Sequence, residues 1–198
     1  MSPLAEDQHQ YTNLTHETYF ALEEEQGQKF EYIAGEVFAM SGGSVNHSLI
    51  GTNTTTTLSL ALRNRPCTVL NSDAKLRIDD IDSFFYPDAM VLCEEGEIEE
   101  NYIRFPQIVV EVLSPSTEDY DHNKKFAYYR QIKTLQTYIM LHQNRVFAEV
   151  YQRCSDNSWL LKEYTGLESH ITLSDDLQLL MADLYRQVTF ESSDNSES

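Results

Sequence analysis

The sequence predicts an α/β domain built on a mixed β-sheet flanked by helices. Three observations carry that prediction. Segments with helical spacing alternate with apolar, strand-like runs along the chain. The run Ile108 to Leu113, IVVEVL, is almost continuously apolar, as in a central strand buried on both faces. With 198 residues, 41% hydrophobic and 23% charged, the chain supports one core and is too short for two comfortable domains.

The elements follow in order. Residues 1–10 and 188–198 are polar and read as flexible tails, leaving a single domain over 11–187. Leu14 to Gln26 reads as a short helix capped by Thr15, with Tyr19, Phe20 and Leu22 facing inward. Lys29 to Met40 alternates around Ala34-Gly35, which predicts an N-terminal β-hairpin. Ser41-Gly42-Gly43-Ser44 breaks the chain before a helix over Asn46 to Asn64. Its inward stripe is Ile50, Thr54, Thr57, Leu58 and Ala61, although the β-branched run Thr54 to Thr57 weakens helix propensity. Cys67 to Ile78 and Phe84 to Cys93 read as two strands, ahead of the central strand that Pro115 ends. Asp121 to Lys133 has helical spacing and Gln136 to His142 is strand-like. Val146 to Arg153 and Trp159 to Tyr164 form a C-terminal β-hairpin extension around Ser155-Asp156-Asn157-Ser158, and Leu177 to Tyr185 reads as a short last helix.

Charge and composition narrow the function. Acids number 32 against 14 bases, a formal charge of −18, which excludes a generic basic DNA-coating protein. Acids crowd the tail 191–198, the stretch 94–100 and the first ten residues, so the body between them is less acidic. A nuclease stays open, because a metal-binding carboxylate cluster is itself acidic. No segment approaches the roughly 18 to 20 apolar residues of a membrane span, and MSPLAEDQHQ lacks the basic and apolar regions of a signal peptide. Cys67, Cys93 and Cys154 are odd in number and form no CxxC pair, so they read as buried, reduced thiols in a cytoplasmic protein without a cysteine zinc site. There is no Walker loop and no GxGxxG, which removes support for a nucleotide hydrolase or a dinucleotide enzyme.

The chemical anomaly is Glu111. A lone carboxylate in the middle of IVVEVL loses hydration with nothing in return. Asp88 sits similarly between Phe84-Phe85-Tyr86 and Ala89-Met90-Val91. Two carboxylates on neighbouring buried strands repel each other, and a divalent metal between them resolves both problems. The structural alternative is that Asp88 ends a turn after Pro87 while Glu111 pairs with a buried arginine.

At this point the chain resembles a known family. Pro87-Asp88, followed about two dozen residues later by Glu111-Val112-Leu113, looks like the PD…(D/E)xK signature of restriction endonucleases. The surrounding strings are FEYIAGEVFAMSGGSVNHSLI (30–50), NSDAKLRI (71–78), YPDAMVLC (86–93), IVVEVLSPSTEDYDHNKKFAYYR (108–130) and AEVYQR (148–153). Together they resemble the Uma-two family within the PD-(D/E)xK restriction-endonuclease-like superfamily, over roughly residues 11–187. The resemblance implies a restriction-endonuclease-like mixed sheet and a metal-dependent endonuclease that hydrolyses phosphodiester bonds of nucleic acid, DNA before RNA. Asp88, Glu111 and the Val112 carbonyl would then hold Mg²⁺ or Mn²⁺, and no organic cofactor is implied.

The sequence departs from the superfamily motif where the lysine should stand. Residues two apart on a strand share a face, and the position two after Glu111 is Leu113. The next helix offers Lys124 and Lys125. Lys125 lines up with Tyr128, Tyr129 and Ile132, which makes it the candidate for a migrated catalytic lysine; the plainer reading is a rim lysine whose stem covers that aromatic stripe.

Glu36 shares a strand face with Phe38 and Met40 and is favoured over Glu31 as a further carboxylate, since period-two alternation sets the two on opposite faces. His47 could contact metal or phosphate, or only cap its helix. Asp73 is a ligand candidate or a partner of Lys75 or Arg77, while Ser114 and Ser116 more simply shape the turn after the central strand. A basic patch for nucleic acid would use Arg63, Arg65, Lys75, Arg77, Lys124, Lys125 and Arg130. The competing reading is a catalytically degenerate nuclease fold acting as a metal- or partner-binding module. A homodimer joined through the aromatic surface is a variant of it, tyrosine being 12 of the residues.

Overall fold

A computed structural model describes residues 9–40, 42–94, 97–115, 118–174 and 176–190. The expectations for residues 1–8 and 191–198 and for Ser116 lie outside the described residues.

The N-terminal unit is a hairpin with a helix on it. β1 (His9–Tyr11) pairs with β3 (Glu36–Ala39), which pairs antiparallel with β2 (Phe30–Ile33). Residues 9–11 therefore belong to the fold and not to a loose tail. The β2–β3 turn has Ala34 at φ 49° and Gly35 at φ 93°, the two positive values that a two-residue hairpin turn of matching twist requires. α1 (His16–Gln26) starts at Thr15, whose hydroxyl accepts the Thr18 amide, and stops at Gly27 in the left-handed region at φ 60°. It lays Tyr19 on Phe30, Tyr32, Val37 and Phe84, an all-apolar cluster on one face of the hairpin.

α2 (Val45–Leu62) is capped by Ser44, whose oxygen accepts the His47 amide. It buries Ile50, Asn53, Thr54, Leu58 and Leu62. The inward stripe ends at Leu62; Ala61 is exposed.

Two of the expected strands are each divided between two sheets. The segment expected as Cys67 to Ile78 becomes β4 (Thr68–Asn71) and β5 (Leu76–Ile78). A short 3₁₀ turn, Asp79–Ile81, follows. The segment expected as Phe84 to Cys93 becomes β6 (Ser83–Phe85) and β7 (Ala89–Leu92). The breaks fall at Ser72-Asp73-Ala74 and at Tyr86-Pro87-Asp88, where an Asx-type bond from the Asp73 amide to Asn71 Oδ1 and a proline interrupt the ladders. β8 (Glu97–Ile98) and β9 (Ile103–Arg104) precede the central strand β10 (Ile108–Leu113), all six of whose residues are buried.

A helical stretch follows. α3 (Glu118–Tyr120) passes through a π-helical segment (Asp121–Lys125) into α4 (Phe126–Tyr129). β11 (Thr137–His142) then runs parallel to β10, and β12 (Phe147–Arg153) and β13 (Trp159–Thr165) form the expected hairpin. The segment from Leu177, expected as helix, instead forms β15 (Leu177–Leu180), pairing with β14 (His170–Ser174), and only Met181–Leu184 is helical, as α5. Alternation decides this: Leu177 and Leu179 are buried while Gln178 is exposed.

The strands form a seven-stranded sheet in the order β1-β3-β2-β6-β5-β9-β8, a six-stranded sheet in the order β13-β12-β11-β10-β7-β4, and the β14-β15 pair. α2, α5 and the β14-β15 pair cover one face of the six-stranded sheet around Val110, Val112, Ile139 and Leu141. Val188 and Phe190 pack against that core as well, so the folded domain reaches past residue 187. The opposite face, with Val109, Leu113, Tyr138 and Met140, meets β5, β6 and the α4 residue Tyr129 in a second core. The mixed α/β architecture is thus two large sheets between which one chain passes back and forth, with Tyr129 of the helical stretch packed in the core where they meet.

The expectation of three reduced thiols fails. Cys67 and Cys93 are joined by a disulfide, and Cys154 is free. The reason is register: Thr68 pairs with Leu92, and one further step along this antiparallel ladder sets Cys67 opposite Cys93 with Cα atoms 4.1 Å apart.

Candidate functional site

Glu111 lies on the β10 face that meets the second sheet. Its Oε1 accepts a 2.6 Å hydrogen bond from the Tyr129 hydroxyl and a 3.1 Å charged bond from Lys125 Nζ. Lys125, 7% exposed, also holds Glu31 Oε1 at 2.9 Å and stands 3.4 Å from Asp121 Oδ1. The partner of Glu111 is therefore this lysine and not a buried arginine. Helical geometry makes the cluster possible: Asp121 and Lys125 are four residues apart within the π-helical segment, so both point at the sheet. Glu31 arrives from the other sheet, and its Oε2 accepts the Tyr120 hydroxyl at 3.4 Å.

Asp88 enters from the sheet crossing. Val110 pairs with Ala89, so Asp88 comes next to Glu111 as β7 leaves the ladder. Its Oδ2 accepts the Val112 amide at 2.7 Å, and His47 Nε2 stands 3.4 Å from the same oxygen. Leu113 bonds the β11 side through its carbonyl to the Gln143 amide, so the alternate residue Val112 turns both its N–H and its C=O to the Asp88 side.

The electrostatics are unbalanced toward negative charge. Burial pushes the Glu111 carboxyl well above the usual carboxylate range; Lys125 opposes this, while Asp121 and Asp88 add to it. Burial works against the charged form of Lys125, but Glu111, Glu31 and Asp121 hold its ammonium well above the ordinary lysine range. At His47 burial favours the neutral ring, yet the hydrogen bond to Asp88 and the charges of Asp88 and Asp121 raise it overall. Asp121 is 3% exposed and its Oδ1 lacks a hydrogen-bond partner among the described residues, since the nearby ammonium is not aligned for one. A buried acceptor without a hydrogen bond costs about 1–3 kcal/mol, which the Lys125 ammonium 3.4 Å away offsets in part.

These donors are of the chemical type that a hard divalent ion takes, although among the described residues the group whose ligand atoms all lie within 4.8 Å of one another is Glu118, His122 and His142 and not these carboxylates. Asp88, Glu111 and Asp121 are carboxylates, Val112 offers a carbonyl, and Mg²⁺ and Mn²⁺ take oxygen ligands of this kind.

Glu36 is placed differently from its expectation. Ile33 pairs with Glu36 and Glu31 with Phe38, and cross-strand partners share a face. The two-residue turn thus puts Glu31 and Glu36 on the same face, not on opposite ones. Glu36 stands exposed at the turn end, whereas Glu31, two residues deeper, is buried and reaches Lys125. Asp73 is exposed and pairs with Lys29 at 2.6 Å, outside the cluster. Sequence reasoning missed Asp121, weighed Glu31 but set it below Glu36, and named Tyr129 only as a neighbour of Lys125. The spacing that singled out Lys125 would have found Asp121 one turn earlier.

The basic patch expected for nucleic acid is largely occupied by partners. Lys75 is buried against Glu23 and the rings of Tyr19 and Phe20. Arg77 pairs with Asp79 and Asp82, Arg65 with Asp176, and Lys125 lies inside the carboxylate cluster.

Two mixed sheets closing on buried carboxylates at a sheet crossing define a restriction-endonuclease-like nuclease fold. A crystal structure titled as "a putative nuclease belonging to DUF820" from Anabaena variabilis has this fold with a TM-score of 0.65 at 17% identity, over 80% of this chain and 90% of that one. The chain belongs to the Uma2 family, described as "Putative restriction endonuclease", which matches residues 16–184. Two Synechocystis proteins, both titled as uncharacterized, are similar along most of their length. Protein slr1290 is 34% identical over 91% of this chain and 95% of its own, and sll1609 is 37% identical over 81% and 93%. No helix among the described residues is long and apolar enough to cross a membrane.

Proposed function

We propose that the protein is a metal-dependent endonuclease that hydrolyses phosphodiester bonds of nucleic acid, with DNA as the first substrate to test. The observation that carries this reading is the gathering of the buried carboxylates Glu111, Glu31 and Asp121 around one ammonium, Lys125, with Asp88 entering beside Glu111. Asp88, Glu111 and Asp121, with the Val112 carbonyl, would hold Mg²⁺ or Mn²⁺. Such an ion, when bound, supplies Lewis acidity to a phosphate oxygen and lowers the pKa of an attacking water.

The chain's own residues do the rest. Tyr129 and Lys125 fix the Glu111 carboxylate by donating to its Oε1. The Val112 amide and His47 hold Asp88 from two sides. With Glu31 and Asp121 as its other partners, Lys125 keeps its charge in a dry site, where a single N–H donor aimed at developing phosphate charge is worth roughly 10²–10³ in rate.

The test is nicking of supercoiled plasmid with Mg²⁺ or Mn²⁺ by the full chain beside Asp88→Asn and Glu111→Gln. Nicking by wild type that both variants abolish supports the reading. The degenerate-module reading is favoured by one observation, the pairing of Lys75, Arg77, Arg65 and Lys125 with acids, which draws four of the seven cations expected in the patch away from a polyanion. Tight metal binding without cleavage of DNA or RNA would decide for it.

A further inference from the structure

Beside the carboxylate site, the helical stretch and strands β11 and β12 bring two histidines and two glutamates together. Glu118 and His122 are four residues apart along that stretch. His142 ends β11 and is 6% exposed, and Glu149 lies on β12 in register with Met140. Met140 and His142 share a sheet face with Glu111 and Leu113, so this group sits one strand over from the nuclease carboxylates.

The hydrogen bonds constrain the ring nitrogens. His122 Nδ1 donates to the Glu118 carbonyl at 2.8 Å, which leaves Nε2 of the neutral ring bare. That Nε2 faces Glu149 Oε2 at 2.5 Å, and His142 Nε2 stands 3.1 Å from the same oxygen. On its other side His142 Nδ1 faces Glu118 Oε1 at 3.8 Å, beyond hydrogen-bond length. A bare imidazole nitrogen and a carboxylate oxygen repel at contact, so a positive charge belongs among these atoms: a proton or a metal ion.

The donor set distinguishes this place from the first. Two imidazoles with carboxylates suit a borderline ion of the zinc class, whereas the neighbouring all-oxygen set suits Mg²⁺ or Mn²⁺. One ligand atom from each of Glu118, His122 and His142 already lies within 4.8 Å of the others. Ligand atoms of a tetrahedral site with bonds of ~2.1 Å stand about 3.4 Å apart, a difference that side-chain rotation covers. The Glu118 side chain is 44% exposed, which gives an ion access from solvent.

We propose that Glu118, His122 and His142 bind one zinc-class divalent ion, with solvent in the remaining position. The ion ties the helical stretch to β11 and so clamps the segment that carries Asp121 and Lys125. The inference does not rest on nuclease activity.

The test is calorimetric titration of the chelator-stripped full chain with Zn²⁺, with Co²⁺ used in parallel for its visible ligand-field absorption. One equivalent of Zn²⁺, undisturbed by excess Mg²⁺, is expected, together with a four-coordinate cobalt band. Affinity should fall about tenfold or more in His122→Gln and in Glu118→Gln, and stay unchanged in the Asp88→Asn, Glu111→Gln double variant. Because His142 is buried, the half-exposed Glu118 serves as the second variant. No Zn²⁺ binding, unchanged affinity in both His122→Gln and Glu118→Gln, or loss only in the Asp88→Asn, Glu111→Gln protein would overturn the proposal.

Discussion

Lys125 and Glu31 meet at 2.9 Å although one comes from the helical stretch over the six-stranded sheet and the other from a hairpin in the seven-stranded sheet. The same ammonium holds Glu111, so a single side chain joins both sheets at the candidate site.

Removing that ammonium leaves buried carboxylates without their counter-charge. Lys125→Met is expected to cost about 3–5 kcal/mol of stability at neutral pH. The variant should lose less at pH 5.5. Glu111 has a folded pKa above its unfolded one, so its protonated form adds stability as pH falls, and without Lys125 that rise is larger. Urea unfolding at the two pH values checks this; a deficit equal at both would refute the charge argument.

In metal-free buffer the surplus acids repel one another. Glu111→Gln and Asp121→Asn should each raise Tm in the presence of chelator, and Mn²⁺ is expected to raise the Tm of wild type but not that of either variant. A gain of 1 kcal/mol corresponds to roughly 2–4 °C for a chain of this size. Thermal scans with and without Mn²⁺ provide the measurement. An undiminished Mn²⁺ shift in both variants would place the ion elsewhere.

Asp82 supports the hairpin through Arg77 at 2.8 Å and His16 at 2.7 Å. Burial opposes ionisation of its carboxyl, but Arg77 and His16 lower its pKa overall. A depressed folded pKa gives stability that is present above the unfolded value of about 3.9 and lost as pH falls through the folded value. Asp82 is half exposed, so solvent limits the effect to about 0.5–1 kcal/mol. Asp82→Asn, which keeps the left-handed backbone at φ 49°, should be less stable than wild type at pH 6 and converge with it in acid unfolding curves.

The disulfide between Cys67 and Cys93 closes a loop of sequence separation 26. Reduction, or Cys67→Ser with Cys93→Ser, should cost roughly 2–4 kcal/mol through the freed unfolded chain. Mass spectrometry after alkylation of the unfolded, non-reduced protein should label Cys154 alone; labelling of all three cysteines would remove the bond.

Where local patterning decides, the sequence was readable. Thr15 caps the helix it was expected to cap, Ser44, expected only as part of a breaker, caps the next, and IVVEVL is the buried central strand. Apolar runs that continue across a sheet crossing were not divisible by pattern, because β4 with β5 and β6 with β7 keep facing cores on both sides of the break. Alternation across Ala34-Gly35 hid the shared face of Glu31 and Glu36, since a two-residue turn reverses the parity of a strand count. Asp88, Glu111 and Lys125 could be singled out as carboxylates and an ammonium in apolar company. The choice of Glu31 over Glu36 could not be made, because the burial of each depends on how the two sheets close.

The two sheet crossings have a topological consequence. Strands before, between and after Ser72-Asp73-Ala74 and Tyr86-Pro87-Asp88 alternate between the layers, β4 and β7 in one and β5 and β6 in the other. The layers are therefore interlaced by covalent chain, and neither can be excised, permuted away or inherited as a module without the other. Asp88 stands at one of these stitches, so the position of its carboxylate is set by backbone connectivity as much as by packing.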